Sequence, residues 1–208
     1  MSKKISFKGF SIISCGTLKQ EIQLLSEQGF LDADKIIYTA PGLHEIPHQL
    51  EIQLKKQIDS IKKEGSNIII VYGTKCYVDF MNPLRGIDEL IQEAGIQSRR
   101  VNAKNCIDMF VNLEERDTIR NGQKVYWLSP GWIIYWKAIF KDWDQGKANE
   151  TFPQYDKAIL LDSIGLFDQY SIESPEKILE FSDWMHLNIE SHQISLNRFK
   201  KLLSEATY

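Results

Sequence analysis

The sequence predicts an α/β fold: a single open, mostly parallel, Rossmann-like sheet, doubly wound, with helices on both faces. Three observations predict it. Short apolar runs of strand length alternate with longer segments of helical spacing. The clearest run, residues 67–72, is almost wholly apolar and bounded by Gly65 and Gly73, the pattern of a central parallel strand covered on both faces. Cys15, His44, Cys76 and Cys106 then follow one another at intervals of about thirty residues, the length of one βα unit. On that reading all four side chains emerge just beyond the carboxyl ends of successive strands, where open α/β sheets take their ligands.

Residues 9–14 read as a short buried strand, with Cys15-Gly16-Thr17 as the turn out of it. Thr17 with Gln20 fits a capping box, and Leu18, Ile22, Leu24 and Leu25 carry helical spacing up to Gly29. Residues 35–39 form the second strand, broken by Pro41-Gly42. Leu43-His44-Glu45-Ile46-Pro47 leads into a long helix whose Leu50, Leu54, Ile58 and Ile61 share one face. After strand 67–72 comes Tyr72-Gly73-Thr74-Lys75-Cys76, a loop to Pro83, and a helix through Leu84, Ile87, Leu90 and Ile91 ending near Gly95. Residues 99–102 are a weaker strand. Cys106 opens a short helix, where the dipole favours a thiolate.

Residues 113–122 are charged and helical, breaking at Asn121-Gly122, and 124–128 are strand-like. Ser129-Pro130-Gly131-Trp132 reads as a helix start with Ser129 as N-cap and Pro130 at the first helical position. That helix carries an aromatic face of Trp132, Tyr135, Trp136, Phe140 and Trp143, a pattern more typical of a core stripe than of a cofactor platform. Residues 146–153 read as polar loop and 157–162 as a buried strand ending at Ser163-Ile164-Gly165-Leu166. Helices from Ser174-Pro175 to about residue 189 and over 195–206 close the chain, so that residues 174–206 pack on a single domain spanning 1–208.

With 208 residues, 43% of them hydrophobic, 25% charged and a net charge of −3, the chain suits one soluble domain without electrostatic bias toward nucleic acid. No apolar run approaches the ~20 residues of a membrane span. The basic start at Lys3-Lys4 lacks the apolar stretch of a signal peptide, so a cytoplasmic location is expected. Three cysteines in a reducing compartment are not a disulfide framework, and their spacing matches no local zinc-finger pattern. The fold itself has to gather them. Three thiols and an imidazole suit a thiophilic metal, with zinc first and iron or an iron–sulfur cluster as the alternative. His48 competes with His44 for the imidazole role.

The residues that carry this pattern also resemble a known family. They are Ile13-Ser14-Cys15-Gly16-Thr17-Leu18, Gly42-Leu43-His44-Glu45-Ile46-Pro47, Val71-Tyr72-Gly73 with Cys76, and Asn105-Cys106-Ile107-Asp108-Met109. Tyr126-Trp127-Leu128-Ser129-Pro130-Gly131-Trp132 and Leu161-Asp162 with Gly165-Leu166 complete the set. Together they resemble the family catalogued as domain of unknown function 1638, found largely in anaerobic archaea and bacteria. The resemblance implies Cys15, His44, Cys76 and Cys106 as a shared ligand set, with the Pro130-Gly131-Trp132 group beside it; the helix start at Ser129, Gly131 and Trp132 is itself expected to face the same sheet edge, its free amides open to an anionic ligand or cofactor and Trp132 walling the pocket. The resemblance also implies a loose context of corrinoid proteins and methyltransferases as partners. The chain departs from the family pattern in three places: Lys75 is an extra residue before Cys76, no glycine follows Cys76, and the tail lacks an expected final strand-like segment.

Three functions compete. The first is a metalloprotein built on the four residues, with a catalytic metal if one position is open and a structural one if all are closed. The second is a metal-free thiol enzyme with Cys76 or Cys106 as nucleophile and His44 as base. The third is a non-enzymatic partner of a methyl-transfer system that docks through the aromatic helix. Glu45, Asp79, Asp108 and Asp162 lie near the site by position, but loop carboxylates of this kind are expected to be solvated.

Overall fold

A computed structural model describes residues 5–65, 67–95 and 98–208, leaving the basic residues 1–4 outside it. The class is α/β with parallel strands, arranged as two sheets. The first contains β1 (Phe10–Cys15), β2 (Lys35–Thr39), β3 (Asn67–Val71) and β4 (Ser98–Arg100) in the order β2-β1-β3-β4. The second contains β5 (Val125–Leu128), β6 (Lys157–Asp162) and β7 (Ile189–Gln193) in the order β5-β6-β7. Every neighbouring pair is parallel.

The four strands expected near residues 9–14, 35–39, 67–72 and 99–102 form the first sheet, and the later strands form a second sheet after its edge strand β4. It is only three residues long, and its Arg100 guanidinium donates to the carbonyls of Tyr72 (3.1 Å), Val101 (2.6 Å) and Ala103 (3.3 Å) while pairing with Asp88. β4 is the edge strand of the first sheet, and β5 does not pair with it. The chain instead forms helices α4 (Cys106–Phe110) and α5 (Leu113–Arg120) before starting the second sheet at β5.

Strand alternation assigns the cores. Ile12, Ile69, Val71, Ile159 and Leu161 face a shared core with helix α1 (Lys19–Glu27) and the last helix, α10 (Asn197–Glu205). Ile13, Ile68 and Ile70 face the other way, against α2 (Pro47–Lys62) and α3 (Ile87–Glu93). On the far side of the second sheet, Ala158 and Leu160 meet the aromatic helix α6 (Pro130–Ile139) and helix α9 (Glu176–Met185). The face of α6 is mainly core: Trp136 stacks on Phe181 at 5.2 Å, and Phe140 lies 4.9 Å from Trp184. Among the described residues no helix is long and apolar enough to cross a membrane.

Other local expectations also change. Gly16–Leu18 is a 3₁₀ turn and α1 begins at Lys19 without a side-chain cap, so the Thr17–Gln20 capping box does not form. Residues read as polar loop hold α7 (Gln145–Thr151), capped by Asp144 accepting from Lys147 N at 2.8 Å. Helix α8 (Leu166–Glu173) follows β6 directly. The tail does contain a strand: α9 ends at His186 with φ 54, and β7 then pairs in register with β6 from Ala158↔Ile189 to Asp162↔Gln193. β7 is polar because it is an edge strand.

Candidate functional site

β1 delivers Cys15 to the carboxyl edge of the first sheet, level with Thr39 of β2. Tyr72, one residue beyond β3, is buried at the same edge and its hydroxyl hydrogen-bonds Thr39 Oγ1. Thr17 donates its hydroxyl to Cys15 Sγ at 3.1 Å. Cys76 ends a 3₁₀ turn over Thr74–Cys76, and Cys106 is the first residue of α4. A short backbone ladder brings these two loops together, with Thr74 N donating to Ala103 O (3.0 Å) and Lys75 N to Lys104 O (2.8 Å).

Two glycines make the convergence possible. A Cβ on Gly73 would stand 2.4 Å from the backbone of Asn105, so only glycine lets the Cys76 loop lie against the strand leading to Cys106. A Cβ on Gly131 would stand 1.9 Å from Thr17 O, which places the start of α6 directly on the turn after Cys15. That contact carries Trp132 into the site. Its ring lies 5.6 Å from His44 and 6.3 Å from Tyr126, and its buried indole N–H, near the Cys106 thiol, makes no hydrogen bond. Ser129 is fully buried at the N-cap position, but its hydroxyl makes no cap bond and has no protein partner.

The electrostatics follow from this crowding. Burial pushes the Cys76 thiol up to about 11; the neighbouring Cys15 adds to the rise, while Gly73, Arg100 and the Cys106 backbone oppose it. Burial raises Cys106 further still, reinforced by Cys76 and Cys15 and only partly offset by Trp132 and Ile107. The thiolate expected from the α4 dipole is therefore corrected: five residues of helix do not offset a desolvated thiol beside two others. Both side chains retain some exposed surface, but packed loop atoms surround the sulfurs closely enough for desolvation to dominate.

The three thiols thus share one neighbourhood, and His44 packs on the Trp132 ring beside it. It lies in the 3₁₀ turn Leu43–Glu45, with Nε2 3.4 Å from Glu45 Oε1 and its ring against Trp132. His48 is the second residue of α2, and Ile46 at φ −131, ψ 74 separates it from the turn that holds His44. The two histidines therefore do not form a pair on one helix. Among the described residues no three histidine, cysteine or acidic side chains already stand in the close arrangement of an assembled metal site.

Two carboxylates expected to be solvated are structural. Asp162 is fully buried and accepts from the backbone N–H groups of Ile164, Leu166 and Phe167 at 2.9–3.1 Å, capping α8. Asp108 accepts from Lys104 N at 2.9 Å and fixes the approach to Cys106. Sequence reasoning did not place Thr17, Thr39 or Arg100 in the site, because each acts through a contact between distant segments. Tyr72 and Tyr126 were visible in their motifs but carried no role there. Burial, with Glu45, Tyr155 and Cys106 nearby, raises the Tyr126 phenol well above its ordinary range.

Residues 38–203 match the family described as protein of unknown function (DUF1638), about four-fifths of the chain. No curated protein and no solved structure matches.

Proposed function

For a chain that belongs to the DUF1638 family, as the match over residues 38–203 establishes, we propose a thiophilic-metal protein using Cys15, Cys76 and Cys106 as ligands. The observation that carries this reading is the gathering of three thiols, from three separate βα units, into one crowded edge of the sheet. Three sulfur donors fit a soft or borderline cation such as zinc or iron. A bound cation also removes the electrostatic obstacle, because it replaces the mutual repulsion of neighbouring thiolates with attraction. Ligation requires the thiols to turn toward a common centre, since they do not stand ready-assembled.

His44 packs on the Trp132 ring with its Nε2 3.4 Å from Glu45 Oε1, so in this reading it is the exchangeable or outer member of the set. A metal held by three thiolates with one open position acts as a Lewis acid toward a thiol, water or methyl-bearing group. Group transfer of the corrinoid-linked methyl class is the chemistry we assign to it.

A metal-free thiol nucleophile is the weaker reading. With Cys76 pushed up to about 11, roughly one molecule in ten thousand carries the thiolate at pH 7. His44 is also engaged by Glu45. Cobalt(II) substitution under anaerobic conditions tests the proposal: thiolate-to-cobalt charge-transfer absorption should appear with an intensity matching three thiolates and be nearly lost in Cys15→Ser, which no longer holds the ion. Cobalt spectra without thiolate bands would defeat it.

A further inference from the structure

The segment between Cys76 and α3 is a rigid excursion with an apolar tip. Val78 bridges Gly86 antiparallel, Asp79 N donates to Arg85 O (2.9 Å), and Asp79 Oδ1 accepts from Met81 N (2.8 Å) and Asn82 N (3.2 Å). The base is clamped by Arg85. Its guanidinium pairs with Glu51 (2.7 Å), Asp79 (2.8 Å) and Glu93 (2.6 Å) and donates to Tyr77 OH (2.6 Å), so its pKa lies above the usual range and Glu51 is held far below its own. On this ordered base Phe80 is 93% exposed, Met81 86% and Leu84 88%. Large apolar side chains held in water by a pre-organised loop mark an interaction surface more than a folding device.

Phe80 and Met81 also form one wall of a groove of about 450 Å³ whose other wall is Ile46, Pro47 and His48 at the start of α2. The groove runs along the residues that directly follow His44 and Cys76. Glu45, Glu51 and Asp79 line it, and Glu93, paired to the same Arg85, extends this acidic rim, so that four carboxylates stand against the two cations, Arg85 and Lys55, that pair with the last three. We propose that this groove receives a basic amphipathic segment of a partner protein, with its apolar side chains between Phe80, Met81 and Pro47 and its cations against the acidic rim. The same rim repels a second copy of this chain and an anionic membrane. The inference does not depend on metal occupancy.

The probe is a fluorescein-labelled amphipathic helix of leucine and lysine, about five turns long, read by anisotropy against the full chain. Its glutamate-for-lysine counterpart and phosphatidylglycerol vesicles serve as comparisons. The lysine peptide should bind, weaken as salt rises, and bind about ten-fold less tightly to the Phe80→Ser, Met81→Ser double variant. That variant keeps every charge and, its changed residues being exposed, should unfold at the parent's midpoint. Undiminished binding to the double variant would mean the peptide recognises charge alone and would overturn the proposal. Equal binding of the glutamate peptide, tip-dependent binding to the vesicles, or tip-dependent self-association in sedimentation would overturn it as well.

Discussion

Glu21 sits in α1 with no exposed surface, where its Oε1 accepts a long 3.4 Å hydrogen bond from Ser163 and its Oε2 has no protein partner. Burial, reinforced by the nearby Asp162 carboxylate, lifts its pKa from 4.5 to about 7. Because the folded state holds the proton more tightly than the unfolded chain does, stability is highest below the unfolded value of 4.5 and declines until pH passes the folded value of about 7. That interval corresponds to roughly 3 kcal/mol, at about 1.4 kcal/mol per pH unit. Glu21→Gln removes the titration while keeping the shape. It should raise the unfolding free energy by about 2–3 kcal/mol at pH 8 and by close to nothing at pH 4.5. Urea unfolding of parent and variant across that range reads the difference directly. The Tyr38 phenol, raised to about 12 first by burial and then by Glu21, should also titrate lower in the variant. A stability difference that does not change with pH, or a variant less stable at pH 8, would refute the assignment of Glu21 as a buried, late-titrating acid.

Gly131→Ala places a methyl group against Thr17 O and should cost about 3 kcal/mol in urea unfolding, whereas Gly122→Ala, strained only by its φ of 79, should cost about 1 kcal/mol. Equal costs would mean the contact between α6 and the Cys15 turn is loose. The rate of Cys76 alkylation by iodoacetamide in metal-free protein, followed by peptide mass spectrometry, should climb about ten-fold per pH unit from 7 to 10. A plateau below pH 9 would contradict the desolvated thiol. Zinc at about a hundred times its dissociation constant should add about 2.7 kcal/mol to unfolding, reversed by chelator, and a melting curve indifferent to both would count against coupling between metal and fold.

The parts of the fold that were legible in the sequence are those set by local pattern. The apolar run at β3, the helical face of Leu50, Leu54, Ile58 and Ile61, and the proline-initiated α6 each appear where periodicity and capping place them. β7 was not legible because an edge strand needs few apolar residues: of Ile189–Gln193 only Ile189 is buried, and the backbone bonds to β6 hold the rest. The break into two sheets was hidden for a related reason. It depends on where the chain goes after the three-residue β4, and spacing carries no information about that. For the site, strand-exit reasoning put three cysteines at one edge, because the length of a βα unit is a strong constraint. It placed His44 there by the same arithmetic, and the left-handed Gly42 and the 3₁₀ turn after it set the imidazole against the Trp132 ring, a contact that spacing does not reveal. Glu21 escaped notice because an isolated glutamate in an amphipathic helix looks solvent-facing until the second sheet is seen to cover it.

The central claim is that Cys15, Cys76 and Cys106 together hold a metal ion, and elemental analysis of anaerobically purified protein tests it most directly. The parent should carry about one equivalent of zinc or iron per chain, and Cys15→Ser, Cys76→Ser and Cys106→Ser should each retain less than about a tenth, because a hydroxyl is a far poorer ligand than a thiolate. His44→Ala should keep most of the metal. Full occupancy in any one serine variant would remove that cysteine from the site, and a parent that takes up no metal even after anaerobic reconstitution would contradict the account.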